Sequence, residues 1–264
     1  MDIVAIIILL IAGLIFGTIS CIAGVGGGIF FVSSMVLIFS IPINIAVDTS
    51  AFIILISSGT GFLIYLKDER LDLKQVLIFS SFSILGSIAS SLLFLFIEIK
   101  NYLLKILFAT TLLLAGLNMI YKAIKSNRTN STQEEQEVEF ILSEHDYKTN
   151  LKKSIPLFFL AGFIANLLGI GGGIINTPSL HILLKYPIHN ATAISTGIIF
   201  FTAIYNTIAN SIVGEIEYLI GLLIGTGAIF GSIFGAKISG KMSKKYLQFF
   251  VAIVLMGLAI RMYF

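Results

Sequence analysis

Long apolar runs alternate with short polar interruptions along almost the whole chain. In the first half the apolar segments cover approximately residues 3–23, 25–41, 46–66, 75–97 and 103–121, and in the second 155–170, 171–185, 190–212, 218–239 and 246–264. From Ile3 to Phe39 no side chain is charged. An α-helix needs about 20 predominantly apolar residues to cross a bilayer, so the pattern predicts membrane-spanning helices. A transmembrane barrel would show segments of about ten residues alternating apolar and polar, and this chain does not. The second segment of each half is short and closes on a proline, Pro42 or Pro187. Proline lacks an N–H and its ring clashes with the preceding turn, so a helix stops there. A length of about 17 residues is the lower limit of a span, so these two segments either cross fully or form half-helices that re-enter.

The two halves resemble each other. Residues 13–100 align with 158–245 at a constant offset of 145, without a gap. Gly17 then matches Gly162, Pro42 matches Pro187, Ala46 matches Ala191, Ser50 matches Ser195, and Gly86-Ser87-Ile88 matches Gly231-Ser232-Ile233. Past residue 100 the offset falls to about 141, pairing Gly116 with Gly257. The chain divides into a first repeat over 1–121, a polar linker over 122–154 and a second repeat over 155–264. The linker carries an acidic run from Glu134 to Glu139 and His145, with a short surface helix conceivable from Glu135 to Tyr147. Its polarity predicts a flexible segment without chemistry of its own.

Composition agrees with the pattern: 57% of residues are hydrophobic and mean hydropathy is +1.00. Charged residues make up 12% of the chain, roughly half the share usual in soluble domains. The net charge of +3 says little, but its placement says more. If all ten segments cross, 14 of the 17 Lys and Arg residues fall on one side, and only Lys100, Lys105 and Arg261 on the other. If both short segments return to the side they left, the counts become 9 and 8. Cytoplasmic loops carry an excess of Lys and Arg, which favours ten crossings with the linker inside and both termini outside. Five crossings per half is odd, so the second half is inserted upside down. The expected fold is thus an all-α polytopic membrane protein with two inverted repeats, an architecture of many secondary transporters. Asp2 stands where a signal peptide would need basic residues, so residues 3–23 are expected to be a retained first span in the plasma membrane. Cys21 is the only cysteine, which rules out an intrachain disulfide, and its apolar segment predicts a small core residue.

Each short segment begins in glycine: Gly24-Val25-Gly26-Gly27-Gly28 and Gly169-Ile170-Gly171-Gly172-Gly173. Glycine costs about 1 kcal/mol relative to Ala inside a helix, so each cluster marks a break. Paired interruptions in two transporter halves point to a binding site. The helix that restarts after a break exposes backbone N–H groups and the positive end of its dipole, which together attract anions. Tight packing of small residues accounts for the glycines equally well. Gly26, Gly27, Gly28, Gly171, Gly172 and Gly173 are the backbone candidates for binding substrate. Asn176 and Thr177 after the second break, and Ser50 and Ser195 at the start of the third segments, are candidate side-chain donors, with interhelical hydrogen bonding as their other reading. The second copy, with Asn166, Asn176 and Thr177 around it, is the richer of the two. Asp48 is an acid at a span's edge, and either couples an ion or proton or sits in a first turn favoured by the helix dipole. The clusters lack the third glycine of a dinucleotide fingerprint and the Lys-Ser/Thr of a P-loop. No HExxH, GxGD or GxSxG occurs, and His145, His181 and His189 lack metal-ligand spacing. No enzyme activity, cofactor, metal or nucleic-acid partner is expected. The expected partners are the bilayer, a small anion and a coupling ion or proton.

The duplicated glycine motif resembles that of the sulfite exporter TauE/SafE family of membrane permeases, whose members carry a GxGGGxxxxP element in each half. Gly169 to Pro178 fits it, whereas Ser33 stands at the proline position of the first copy. The Ala-x-x-x-Ser patterns, Ala46 to Ser50 and Ala191 to Ser195, are similar to the family as well. The resemblance covers the chain outside the linker. It implies transport of small sulfur-containing anions such as sulfite or organosulfonates. The expectation is a secondary permease alternating access around the glycine breaks. A passive anion channel and a non-transporting membrane scaffold are the alternatives.

Overall fold

The computed structural model describes residues 3–24, 26–97, 100–129, 148–238 and 244–263. Among these the chain is helical, with no strand. The helices are α1 (Ile3–Ala23), α2 (Gly28–Phe39), α3 (Ile43–Lys67), α4 (Leu73–Phe96) and α5 (Asn101–Thr129), then α6 (Lys148–Leu168), α7 (Gly173–Pro178), α8 (Ile188–Val213), α9 (Tyr218–Ile238) and α10 (Lys244–Tyr263). A π-helical turn, Ser179–Leu183, continues α7. Seven of the described helices are long and apolar enough to cross a membrane. The chain is therefore an all-α polytopic membrane protein. Helix α5 runs on to Thr129 and α6 starts at Lys148, so helix enters the polar stretch from both ends. Glu134 to Glu139, His145 and most of the conceivable surface helix lie outside the described residues.

Small residues set the packing. On α9, a Cβ at Gly227, Gly231 or Gly235 would strike the carbonyls of Leu10, Leu14 and Thr18. Repeats of small residues four apart let two backbones approach this closely in lipid, where no hydrophobic force drives helices together. The opposite face of α1 carries Ile3, Ile7, Ile11 and Leu14, all exposed, as a lipid-facing stripe requires. On α4 and α6, Gly86 abuts Phe159 and Gly162 abuts Ser83. Ser87 donates to Gly162 O at 2.9 Å and Asn166 Nδ2 to Ser91 Oγ at 3.0 Å.

These pairings also fix direction. Leu10, Leu14 and Thr18 meet residues 227, 231 and 235 in the same order, so α1 and α9 are parallel. Glu217 N–H donates to Thr49, Gly221 abuts Phe52 and Gly225 abuts Ile56, so α3 and α9 are parallel as well. By the same reasoning α6, α4 and α8 share one direction, through Gly162 with Ser83, Asn166 with Ser91, Gly197 with Val76 and Thr202 with Ser83. Helices α3 and α8 are antiparallel. Asp48, near the start of α3, abuts Gly214 beyond the end of α8, while Asn190, at the start of α8, donates to Arg70 O beyond the end of α3.

Because α1 and α3 run the same way, the chain must return between them, and α2 makes that return. The stretch from α7 through the π turn does so between α6 and α8. Neither folds back to the end of the bundle it came from. At 1.5 Å per residue the 12 residues of α2 span roughly 18 Å, so it bridges only part of a core of about 30 Å. The remainder is the glycine break.

Candidate functional site

Six glycines of the two breaks have positive φ: 63° at Gly24, 94° at Gly26 and 70° at Gly27, against 65°, 82° and 74° at Gly169, Gly171 and Gly172. This left-handed conformation costs an L-residue with a Cβ about 1–2 kcal/mol, so glycine is required on conformational grounds alone. The N-caps of α2 and α7 are Gly27 and Gly172, and neither receives a side-chain cap. Gly28 follows in ordinary helical conformation, but a Cβ there would strike Gly169 O.

The breaks meet. A Cβ built on Gly26 would lie 3.2 Å from Gly171 Cα, and one on Gly171 would lie 3.2 Å from Gly26 Cα. Each break is also held by the opposite half of the chain. Ser50 donates to Gly169 O at 2.8 Å, and Ser195 donates to Gly24 O at 3.0 Å. Thr177 adds a second bond to Gly24 O at 2.8 Å. The hydroxyl protons of Ser195 and Thr177 are thus committed to a break carbonyl, while the single Ser50 proton is shared between Gly169 O and Val47 O of its own helix at 2.7 Å. Asn176 is buried, with no partner for Oδ1 among the described residues.

Backbone donors remain available. Phe30 and Phe31 N–H both donate to Gly27 O, as Ile175 and Asn176 N–H do to Gly172 O. The N–H groups of Gly28, Ile29, Gly173 and Ile174 have no partner among the described residues. These are the orphan donors of two helix N-termini.

A narrow cavity of about 10 Å³ adjoins the first break, lined by Ser20, Cys21, Gly26, Ser57, Ser58, Thr196, Ile199 and Ser232. That is room for about one water molecule. Five hydroxyls and a thiol face it. Ser58 and Thr196 are bonded back to Ile54 O and Thr192 O, at 2.6 and 2.9 Å. Ser20 is 7% and Ser232 1% exposed. Tyr65 closes one end, donating to Cys21 O at 2.9 Å and receiving the Cys21 thiol at 3.4 Å. The enclosed polar cavity thus touches the first break at Gly26 rather than the second, which looked richer in sequence, although Thr196, Ile199 and Ser232 of the second half share its wall. Ser20, Ser57, Ser58 and Ser232 were passed over. The Ser57-Ser58-Gly59-Thr60-Gly61 run in the middle of an apolar span is the signal that could have found them.

Asp48 stands apart from this cavity. It lines a wider one of about 350 Å³, together with Asn44, Ser91, Asn101, Asn166, Asn210 and Glu215. Asp48 Oδ2 accepts from the Glu215 N–H at 3.2 Å. Through Asn166, three residues before Gly169, the wide cavity approaches the second break.

Ser33 and Pro178 occupy equivalent places with different results. After Pro178 the helix widens into the π turn, whereas α2 continues regularly through Ser33. Proline removes one helical donor and crowds the carbonyl four residues back, a known cause of such widening. Ser33 is fully buried and its hydroxyl has no partner among the described residues.

Comparison with known proteins points to a membrane transporter. Over 208 residues the chain is 27% identical to the "Probable membrane transporter protein YunE" of Bacillus subtilis, covering 75% of each chain. Over 203 residues it is 32% identical to a "Probable membrane transporter protein" of Methanocaldococcus jannaschii, covering 75% of this chain and 69% of the relative. No solved structure matches it. Residues 9–262 match the family described as Sulfite exporter TauE/SafE, and this multi-pass membrane protein, a transporter and not an enzyme, belongs to that family.

Proposed function

We propose that the chain is a secondary permease for a small sulfur-containing oxyanion, such as sulfite or an organosulfonate, and that it alternates access around the two glycine breaks. The observation that carries this reading is the meeting of the breaks, with N–H groups of Gly28, Ile29, Gly173 and Ile174 that have no partner among the described residues, and with a hydroxyl-lined cavity against Gly26. Backbone donors at a helix N-terminus bind oxyanions without a formal positive charge. Nothing cationic lines the cavity, which suits reversible binding. Gly26 and Gly171 let the two breaks approach each other. Gly27 and Gly172 turn the chain into the new helices, and Gly28 and Gly173 present the first donors. Ser50, Ser195 and Thr177 serve binding by holding the break carbonyls, while Ser20, Ser57, Ser58, Thr196, Ser232 and Asn176 supply side-chain partners.

In this reading residues 1–121 and 155–264 are two inverted repeats joined by a cytoplasmic linker over 122–154. The cavity beside Gly26 is closed to about a water's size, so it corresponds to a constricted state. The wide cavity that holds Asp48 faces outward, and Asp48 couples transport to a cation gradient. Labelled sulfite flux in proteoliposomes, with and without an imposed gradient, tests the proposal. Saturable flux that responds to the gradient supports it. Unsaturable flux points instead to a channel, and no flux of any sulfur oxyanion refutes it.

A further inference from the structure

The mouth of the wide cavity has the wrong charge for an anion pathway acting alone. Asp48 and Glu215 both line it, and none of its lining residues is Lys, Arg or His. Its other polar groups supply oxygen. Asn44 and Asp48 lie four apart on α3 and so share one helix face. Asn166 comes from α6 and Asn210 from α8.

Two of these amides are incomplete. Asn166 is 4% exposed and spends Nδ2 on Ser91 Oγ and Ser87 O, yet its Oδ1 has no partner among the described residues. Asn44 Oδ1 is buried and equally unpartnered. A buried acceptor without a donor costs about 1–3 kcal/mol. Two such carbonyl oxygens on residues that line one cavity with a carboxylate, with no donor for them among the described residues, match the needs of a hard cation, which takes oxygen ligands. A proton would give the carboxyl one O–H donor, enough for one amide oxygen at most, and leave the other empty. A divalent ion against the single deep carboxylate would leave a net positive charge in a low-dielectric setting.

We infer that the wide cavity holds a sodium site, with the Asp48 carboxylate and the Asn44 and Asn166 side-chain oxygens as ligands, and Asn210 and Glu215 at its rim. This rests on the proposed function and deepens it by naming its coupling ion; direct binding tests the site, and the sodium dependence of anion flux tests the coupling. The cation would neutralise the mouth before the anion reaches the breaks, so the two would move together.

The test is direct binding of radioactive sodium to the full chain in lipid nanodiscs. Saturable binding is expected, unaffected by choline or potassium. Asp48→Asn should abolish it, and Asn166→Leu should weaken it at least about tenfold, as loss of a ligand does at other metal sites. Asn44→Ala is a third variant should either of these fold poorly. Absence of saturable sodium binding by well-folded wild-type protein overturns the inference. So does undiminished binding in the variants that fold, or anion flux that needs a proton gradient and ignores replacement of sodium by choline. Sodium bound without any sulfite flux would keep this site and sink the transport proposal, whereas sulfite flux indifferent to sodium would do the reverse.

Discussion

Gly26 and Gly171 give the sharpest handle on the meeting of the breaks. Replacing either with Ala adds one methyl group. At φ of 94° and 82° that methyl costs about 1–2 kcal/mol in backbone conformation alone. It also sits 3.2 Å from the Cα of the opposite glycine, tight enough that the neighbouring backbone must yield by a few tenths of an ångström. Each single variant should therefore lose roughly 1–3 kcal/mol and still fold, since overpacking by a methyl costs about that much. The double variant is different in kind, because the added methyls point into each other's space. Groups in contact show non-additive energies of about 0.5–3 kcal/mol, so the pair should lose more than the sum of its parts. The assay is apparent thermal stability in detergent for wild type, both singles and the double, with labelled sulfite flux measured in parallel. Additive losses would show that the two glycines do not touch and would refute the geometry on which the site rests.

Gly172→Val should abolish flux while leaving membrane insertion intact, because φ is 74° and a Cβ would lie 2.8 Å from Ala161 O; unchanged flux would remove Gly172 from the site. Ser50→Ala should cost about 1–3 kcal/mol in apparent stability, because Gly169 O loses its hydroxyl donor in a low-dielectric setting. Ser195→Ala should cost less than Ser50→Ala, since Thr177 still donates to Gly24 O. Gly231→Leu should separate α1 from α9 and lower apparent stability more than Leu222→Ala, a change at an exposed position on the same helix. In a Cys21→Ala background, Glu69→Cys and Glu217→Cys should react with an impermeant maleimide from opposite sides of the membrane, and labelling from one side would contradict the inverted arrangement.

The spans were legible because the bilayer imposes a length and an apolarity that each segment displays on its own. Loop charge favoured a return crossing by each short segment, since Lys and Arg placement reflects which side each loop occupies. What the sequence hid was contact across the two halves. Ser50 and Ser195 read as possible substrate donors because nothing local reveals that Gly169 O and Gly24 O lie within reach. The hydroxyl cavity went unseen for a similar reason. Its walls come from α1, α3, α8 and α9, and a serine in an apolar span looks the same whether it faces a cavity or bonds back to its own helix. Asp48 was visible as an acid but not as a neighbour of Asn166, which lies 118 positions away in the sequence.

In the proposed inverted-repeat reading, the reciprocal bonds from Ser50 to Gly169 and from Ser195 to Gly24 liken the chain to a two-fold dimer whose protomers have been joined end to end. In a true dimer of identical subunits every substitution appears twice and the two sides of the interface stay equal. Joining the copies removes that constraint. One half can then hold Cys21 and Ser33 where the other holds Asn166 and Pro178, while residues of both halves still wall each cavity. Such a chain cut within 130–147 should still assemble from two co-expressed pieces, whereas neither piece alone can complete its own break.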